Sequence, residues 1–306
     1  MKQPGRKTQY YFFSGKGGVG KTTVSAAAAL QLSKKGKVLL ISVDPAHSLS
    51  DSFERPIGSE IVQVQPNLWA VEIDPARAVA EYKDKLLPKM DVPGLEGVFD
   101  VAGMTPGIDE LAAFNKFLQY MTSTEYDAVV FDTAPTGHAL RFLSLPDVLD
   151  SWLGRLIKIR IQFSSVMGLF KKILPFADDQ QGLGADHLEA MRSRIAEAKK
   201  ILSDPKRTHY AIVLIPEAMS ILESERSLAV LEKYRIPVER IIVNQVLPAN
   251  PGCAFCKERR AQQQDRLVQA KKTFRRPIQA LPLFPREVAG VRMLERVAKE
   301  MYRATP

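Results

Sequence analysis

The most explicit chemistry in the chain lies near its start, in Gly15-Lys16-Gly17-Gly18-Val19-Gly20-Lys21-Thr22, followed by Thr23. These residues fit the phosphate-loop pattern G-x-x-x-x-G-K-[ST], placed after an apolar β-type run and before an Ala/Leu-rich helical one. The glycines let backbone N–H groups turn inward around phosphates, and the following helix N-terminus adds a favourable dipole. Lys21 would neutralise charge on the β- and γ-phosphates, and the Thr22 hydroxyl suits a magnesium ion. The expectation is binding and hydrolysis of ATP with Mg²⁺.

Two further motifs belong to the same chemistry. Leu39-Leu-Ile-Ser-Val-Asp44-Pro-Ala-His47-Ser puts an acid at the end of a second apolar run, where open α/β sheets bind ligands. Asp44 could there orient or deprotonate an attacking water. Ala128-Val-Val-Phe-Asp132-Thr-Ala-Pro135-Thr-Gly137-His138 is a strand ending in an acid, and Asp132 would hold the magnesium shell. Asp44, His47, Asp132, Pro135, Gly137 and His138 are therefore the expected γ-phosphate switch.

Cys253-Ala-Phe-Cys256 is the only cysteine pair. A structural Zn²⁺ takes four ligands, and this motif supplies two. His47 and His138 fall in the nucleotide motifs, leaving His187 and His209. Two chains that each donate Cys253 and Cys256 would complete a shared tetrahedral site on a twofold axis. A redox pair and free thiols are the alternatives.

With Lys16 near its start the loop resembles those of the "deviant" Walker A group, and the longer motifs narrow the resemblance. GKGGVGKTT, DPAHSLSD and DTAPTGHALRFLSLP resemble those of the arsenite-pump and tail-anchored-protein targeting ATPase family. Weaker matches follow at Ile215-Pro-Glu217, Glu223-Ser-Glu225-Arg226, Ile242-Val-Asn244-Gln, the cysteine pair and Leu281-Pro-Leu. The resemblance implies a homodimer in which Lys16 reaches the partner's nucleotide. It also implies that Asn244 contacts adenine, that Pro282, Leu283 and Phe284 flank it, and that Glu217 touches nucleotide across the dimer. The same family pattern includes the zinc shared between chains.

The elements that must position these groups read as an α/β fold, a P-loop domain whose mostly parallel sheet is flanked by helices. Apolar runs at Tyr10–Ser14, Val38–Val43, Ala128–Phe131, Ala211–Ile215 and Arg240–Val246, with a weaker one at Ile278–Leu281, suit strands buried on both faces. Residues 1–75, 122–148 and 203–306 are expected to form this core. Residues 76–121 and 149–202 read as an inserted helical subdomain rich in methionine.

Within the second insertion, Trp152, Leu156, Phe163, Val166, Phe170 and Ile173 recur at helical spacing, interrupted by basic residues. Met104, Met121, Trp152, Phe163, Met167 and Phe170 are expected to line a groove for hydrophobic C-terminal membrane-anchor helices, since flexible methionines suit varied apolar partners. ATP binding and hydrolysis would close and open that groove, delivering the helix to a membrane receptor. The family's other branch feeds an arsenite pump subunit, but neither helical insertion contains a cysteine. A partition-like ATPase that binds DNA is the reading from a different class. It would fit the net charge of +9, though no specific nucleic acid is expected.

The 306 residues are 45% hydrophobic and 25% charged, which is ordinary for a globular chain. The N-terminus lacks a secretory pattern, and no run of about 18 apolar residues occurs without charges. The expected setting is the cytoplasm, with peripheral membrane contact during delivery.

Overall fold

The computed structural model describes residues 7–43, 48–74, 77, 78, 80, 81, 108–132, 183–249 and 252–303. Eight strands form one sheet: β1 (Gln9–Ser14), β2 (Val38–Ser42), β3 (Val62–Gln65), β4 (Leu68–Glu72), β5 (Ala128–Asp132), β6 (Thr208–Leu214), β7 (Val238–Val246) and β8 (Ile278–Pro282). Their order is β3-β4-β2-β5-β1-β6-β7-β8, and every neighbouring pair is parallel except the β3–β4 hairpin at one edge. All residues of β2 and β5 are buried, which is why these strands read as unbroken apolar runs instead of alternating ones.

Helices cover both faces. α1 (Lys21–Ser33), α2 (Ser48–Phe53) and α7 (Gly290–Met301) pack on one side. α3 (Ile108–Met121), α4 (Leu183–Leu202), α5 (Ala218–Lys233) and α6 (Ala254–Phe274) lie on the other. The strand period of two sends Phe13 to the first core and Tyr10 and Phe12 to the second. Phe12 stacks on Phe131 with ring centroids 4.9 Å apart, and Phe117 of α3 leans on Phe131 at 4.8 Å. Each such buried ring stabilises the fold by about 1.5–3 kcal/mol. Ala26 to Ala29 of α1 are fully buried, so small side chains let this helix lie close to the sheet.

The six strands read from sequence are all present, each within a few residues of its expected bounds. β3 and β4 are additional. They are short and joined by a tight turn in which Asn67 takes a positive φ of 61°. The helical stretches also differ from expectation. Phe117, Leu118 and Met121 of α3, with Ile195, Ala198, Ile201 and Leu202 of α4, belong to the core against the sheet. The packed core thus extends past the boundaries drawn at residues 121 and 202.

Among the described residues no helix is long and apolar enough to cross a membrane. β1 lies between β5 and β6, so the chain leaves it toward one half of the sheet and later returns to build the other. Such a switch point opens a crevice at the carboxyl ends of the strands, which is where Gly15 begins.

Candidate functional site

The loop after β1 is shaped by glycines with no alternative. Gly15 has φ +153°, and a Cβ there would run into the carbonyl oxygen of Val213 on β6. Gly20 is the residue before α1 and has φ +89°, and a Cβ there would strike the Asn244 amide. Between them the backbone curls over the start of α1, whose first turn carries no acidic residue. This terminus is therefore open to an anion, and its dipole favours one.

Lys21, 6% exposed, donates from Nζ to the Lys16 carbonyl oxygen at 3.2 Å, which points its ammonium back along the loop. The Thr22 hydroxyl lies 3.2 Å from the Ser48 hydroxyl. Asp132 ends β5 and is 1% exposed, level in the sheet with Phe13 of β1 and Ser42 of β2. Its carbonyl oxygen accepts from Val43 N–H at 3.1 Å, which ties the end of β2 to the end of β5. The Thr22 hydroxyl and Asp132 carboxylate are hard oxygen donors, the type that magnesium takes. Together with the glycine-shaped cradle they fit a magnesium–triphosphate ligand.

A cleft of about 550 Å³ opens beside Gly20 and Thr23, within the ~300–1,000 Å³ common for small-molecule sites. Asn244, Pro282, Leu283 and Phe284 wall it on the β7–β8 side, and Asp51 and Ser52 of α2 border it as well. Asn244 donates its side-chain amide to the Val19 carbonyl oxygen at 2.9 Å. The residues expected at the adenine therefore share one wall with the phosphate loop, although 225 positions separate Asn244 from Val19.

Lys16 and Glu217 each have a partner in the same chain. Lys16 pairs with Glu223 of α5 at 3.1 Å, and Glu217 with Arg259 of α6 at 3.5 Å. A neighbouring cleft of about 540 Å³ is lined by Glu217, Phe255, Cys256, Arg259 and Leu283. Phe255 is 71% exposed between the two cysteines.

Cys253 and Cys256 are both reduced and stand at the start of α6. Cys256 N–H donates to Cys253 Sγ at 3.2 Å. Hydrogen bonding from Cys256, by thiol and by backbone, holds the Cys253 thiol below its usual range and raises that of Cys256. The pair offers two sulfur donors at C-x-x-C spacing, a donor set that fits half of a tetrahedral zinc site. Among the described residues no cluster of three or more metal-ligating side chains occurs.

Several expected site residues fall outside the described residues: Asp44, His47, Pro135, Gly137 and His138 of the switch, and Met104, Trp152, Phe163, Met167 and Phe170 of the groove. Met121 differs from its expected place. It is 0% exposed within the sheet core, because it lies on the same face of α3 as Phe117 and Leu118. A side chain consumed by the core is not available to line an open groove in this state.

Three residues not singled out from sequence help build the site. Ser48 faces Thr22. Glu72, 1% exposed, ends β4 and accepts from Leu49 N–H at 2.9 Å and Ser50 N–H at 3.2 Å, fixing the start of α2. Gln263 of α6 bonds the backbone just after Asn244. An acid ending a short strand was the only sequence signal for Glu72, and Gln263 sat in a polar helical run that gave none.

Comparison with known proteins points to an ATPase family. Residues 8–303 match the family described as anion-transporting ATPase. The chain is 38% identical to the ATPase GET3 of Podospora anserina, with 96% of this chain and 90% of that protein covered. It is 39% identical to the ATPase get3 of Schizosaccharomyces pombe, covering 94% and 89%. The ATPase ASNA1 homolog of Dictyostelium discoideum is 38% identical, covering 94% and 88%.

Proposed function

The chain belongs to the anion-transporting ATPase family, and from that premise we propose that its ATP cycle drives capture of hydrophobic C-terminal membrane-anchor helices and their delivery to a membrane. The chain is an ATP hydrolase. The motifs DPAHSLSD and DTAPTGHALRFLSLP support the targeting branch, as do relatives named as GET3 and ASNA1-type ATPases. Absence of cysteine from residues 76–121 and 149–202 leaves the arsenite-pump branch without soft ligands there.

In this reading Lys21 and the N–H groups of the loop hold the phosphates, and Thr22 and Asp132 would hold a magnesium ion, which would supply charge stabilisation there. Asp44 orients the attacking water and accepts its proton. Asn244, Pro282, Leu283 and Phe284 take the adenine. Lys16 leaves Glu223 to stabilise charge on the nucleotide of a second chain, and Glu217 approaches that nucleotide from the same direction. Cys253 and Cys256 of two chains hold one zinc ion and so keep the dimer joined at that end, close to the exposed Phe255. The helical insertions, with Met104, Trp152, Phe163, Met167 and Phe170, cover the client helix, and a receptor at the membrane accepts it.

One observation carries the nucleotide part: the cleft beside Gly20 unites the phosphate loop with Asn244 and Phe284. The targeting role is tested by presenting a C-terminal transmembrane helix in aqueous solution with ATP. Soluble complex formation that is lost in Met167→Asp/Phe170→Asp supports it, whereas ATPase stimulation by arsenite with no helix capture overturns it.

A further inference from the structure

β7 departs from regular geometry at the point where it meets the nucleotide cleft. Its pairing with β8 shifts register between Val243 and Val246, and Gln245 takes a positive φ of 58°. A non-glycine residue holds that conformation only where its surroundings over-determine it. β6 has already ended at Leu214, level with Val243, so among the described residues no strand lies on the β6 side of β7 beyond that point. On the other side the Val246 carbonyl oxygen still accepts from Leu283 N–H at 2.8 Å. Because backbone groups alternate along a strand, Gln245 C=O and Leu247 N–H point the opposite way, toward the missing neighbour.

Gln263 fills that position. Its Oε1 accepts from Leu247 N–H at 2.8 Å and its Nε2 donates to the Gln245 carbonyl oxygen at 3.2 Å. These are the two bonds that a parallel strand would make to residues 245 and 247. Gln263 is 9% exposed, and its neighbours Gln262 and Gln264 on the same helix make no such contact to β7. One residue before the clamped segment is Asn244, whose amide bonds the Val19 carbonyl oxygen and closes on Gly20.

We infer that Gln263 is a positioning residue for the nucleotide site: it stands in for a strand, holds Gln245 in its left-handed turn and so aims Asn244 at the phosphate loop and the base. The inference rests on Asn244 being on the adenine side of the cleft. Gln263 touches no nucleotide itself and acts through Asn244. Its loss therefore weakens binding of ground state and transition state alike, which raises KM and leaves the chemical step in place.

The test compares Gln263→Leu, Gln263→Glu and Asn244→Ala in the full chain, reading steady-state KM and kcat for ATP and for GTP. Gln263→Leu is expected to raise KM for ATP roughly tenfold with kcat altered less than about twofold, and to narrow the ATP-over-GTP preference as Asn244→Ala does. Gln263→Glu keeps the acceptor for Leu247 N–H but faces the Gln245 carbonyl with another acceptor. It is expected to move both readouts part of the way, so the inference stays testable if the leucine variant does not fold. A Gln263→Glu or Gln263→Leu protein that keeps the wild-type KM and base preference, while Asn244→Ala loses them, overturns the inference. Unchanged base preference in Asn244→Ala overturns the adenine-side reading, and the inference with it.

Discussion

Asn244 Nδ2 and the Val19 carbonyl oxygen lie 2.9 Å apart, so the last turn of β7 is fastened to the middle of the phosphate loop. The bond joins the carboxyl end of β7 to the loop that follows β1, two strands away in the sheet. It also explains why Gly20 tolerates no side chain, since the Asn244 amide occupies the space a Cβ would need.

Gly20→Ala should therefore fail twice over, through its φ of +89° and through collision with Asn244. Loop distortion at a phosphate site should lower ATP affinity by more than about tenfold, equivalent to over ~1.4 kcal/mol. Calorimetric titration with ATP checks it. Wild-type affinity in that variant would mean that the loop rearranges freely.

Glu72→Ala should destabilise the chain by roughly 2–4 kcal/mol, because a buried carboxylate accepting backbone N–H bonds is removed and those donors lose their partner. α2 should then detach at Leu49 and Ser50, taking Ser48 away from Thr22. Urea unfolding reports the first effect and kcat for ATP the second. Unaltered kcat in the folded variant would remove α2 anchoring from the catalytic cycle.

Met121→Ala should cost about 2–5 kcal/mol, the range for emptying a packed core position. Capture of a membrane-anchor helix by the folded remainder should be unaffected, since Met121 is enclosed by the sheet core. Thermal melting and a capture assay separate the two outcomes. Loss of capture at unchanged stability would return Met121 to the groove.

Cys253 should react with iodoacetamide before Cys256 and from a lower pH. Hydrogen bonds from Cys256 favour the Cys253 thiolate, and the same pairing disfavours that of Cys256. The thiolate is the nucleophile, so a lowered pKa extends the reactive range downward. Peptide mass spectrometry after brief labelling identifies the first site. Zinc loading should protect both.

Glu239 supplies a pH-dependent contribution at the opposite end of the sheet. A hydrogen bond from His209 at 2.9 Å lowers the Glu239 pKa from its ordinary value. A carboxyl lowered on folding contributes stability above its unfolded pKa and loses it as pH falls through the folded one. The pair is partly exposed, so Glu239→Gln should cost only about 0.5 kcal/mol at neutral pH. The difference from wild type in urea midpoint should shrink as the pH drops below the ordinary glutamate value and vanish below the lowered Glu239 pKa; a gap that persists there would assign the effect to packing.

The chemistry of the loop was legible in the sequence because it depends on local geometry. Glycines at Gly15 and Gly20, a lysine at Lys21 and a hydroxyl at Thr22 sit at fixed spacing between a strand and a helix. The buried strands were legible for a similar reason: β2 and β5 are covered on both faces, so every residue carries the apolar signal. The fold class and the triphosphate site follow from these two local patterns. Other features are set by partners far away in sequence, and no window along the chain contains both members. The Asn244–Val19 bond spans 225 positions, the Glu72–Leu49 anchor 23 and the Gln263–Leu247 clamp 16. Periodicity marks Met121 as apolar but does not say whether its helix face meets a client or the sheet; packing against Phe117 and Leu118 decided for the sheet. The sequence thus marked which groups suit a phosphate, and tertiary packing decided which residues hold them in place.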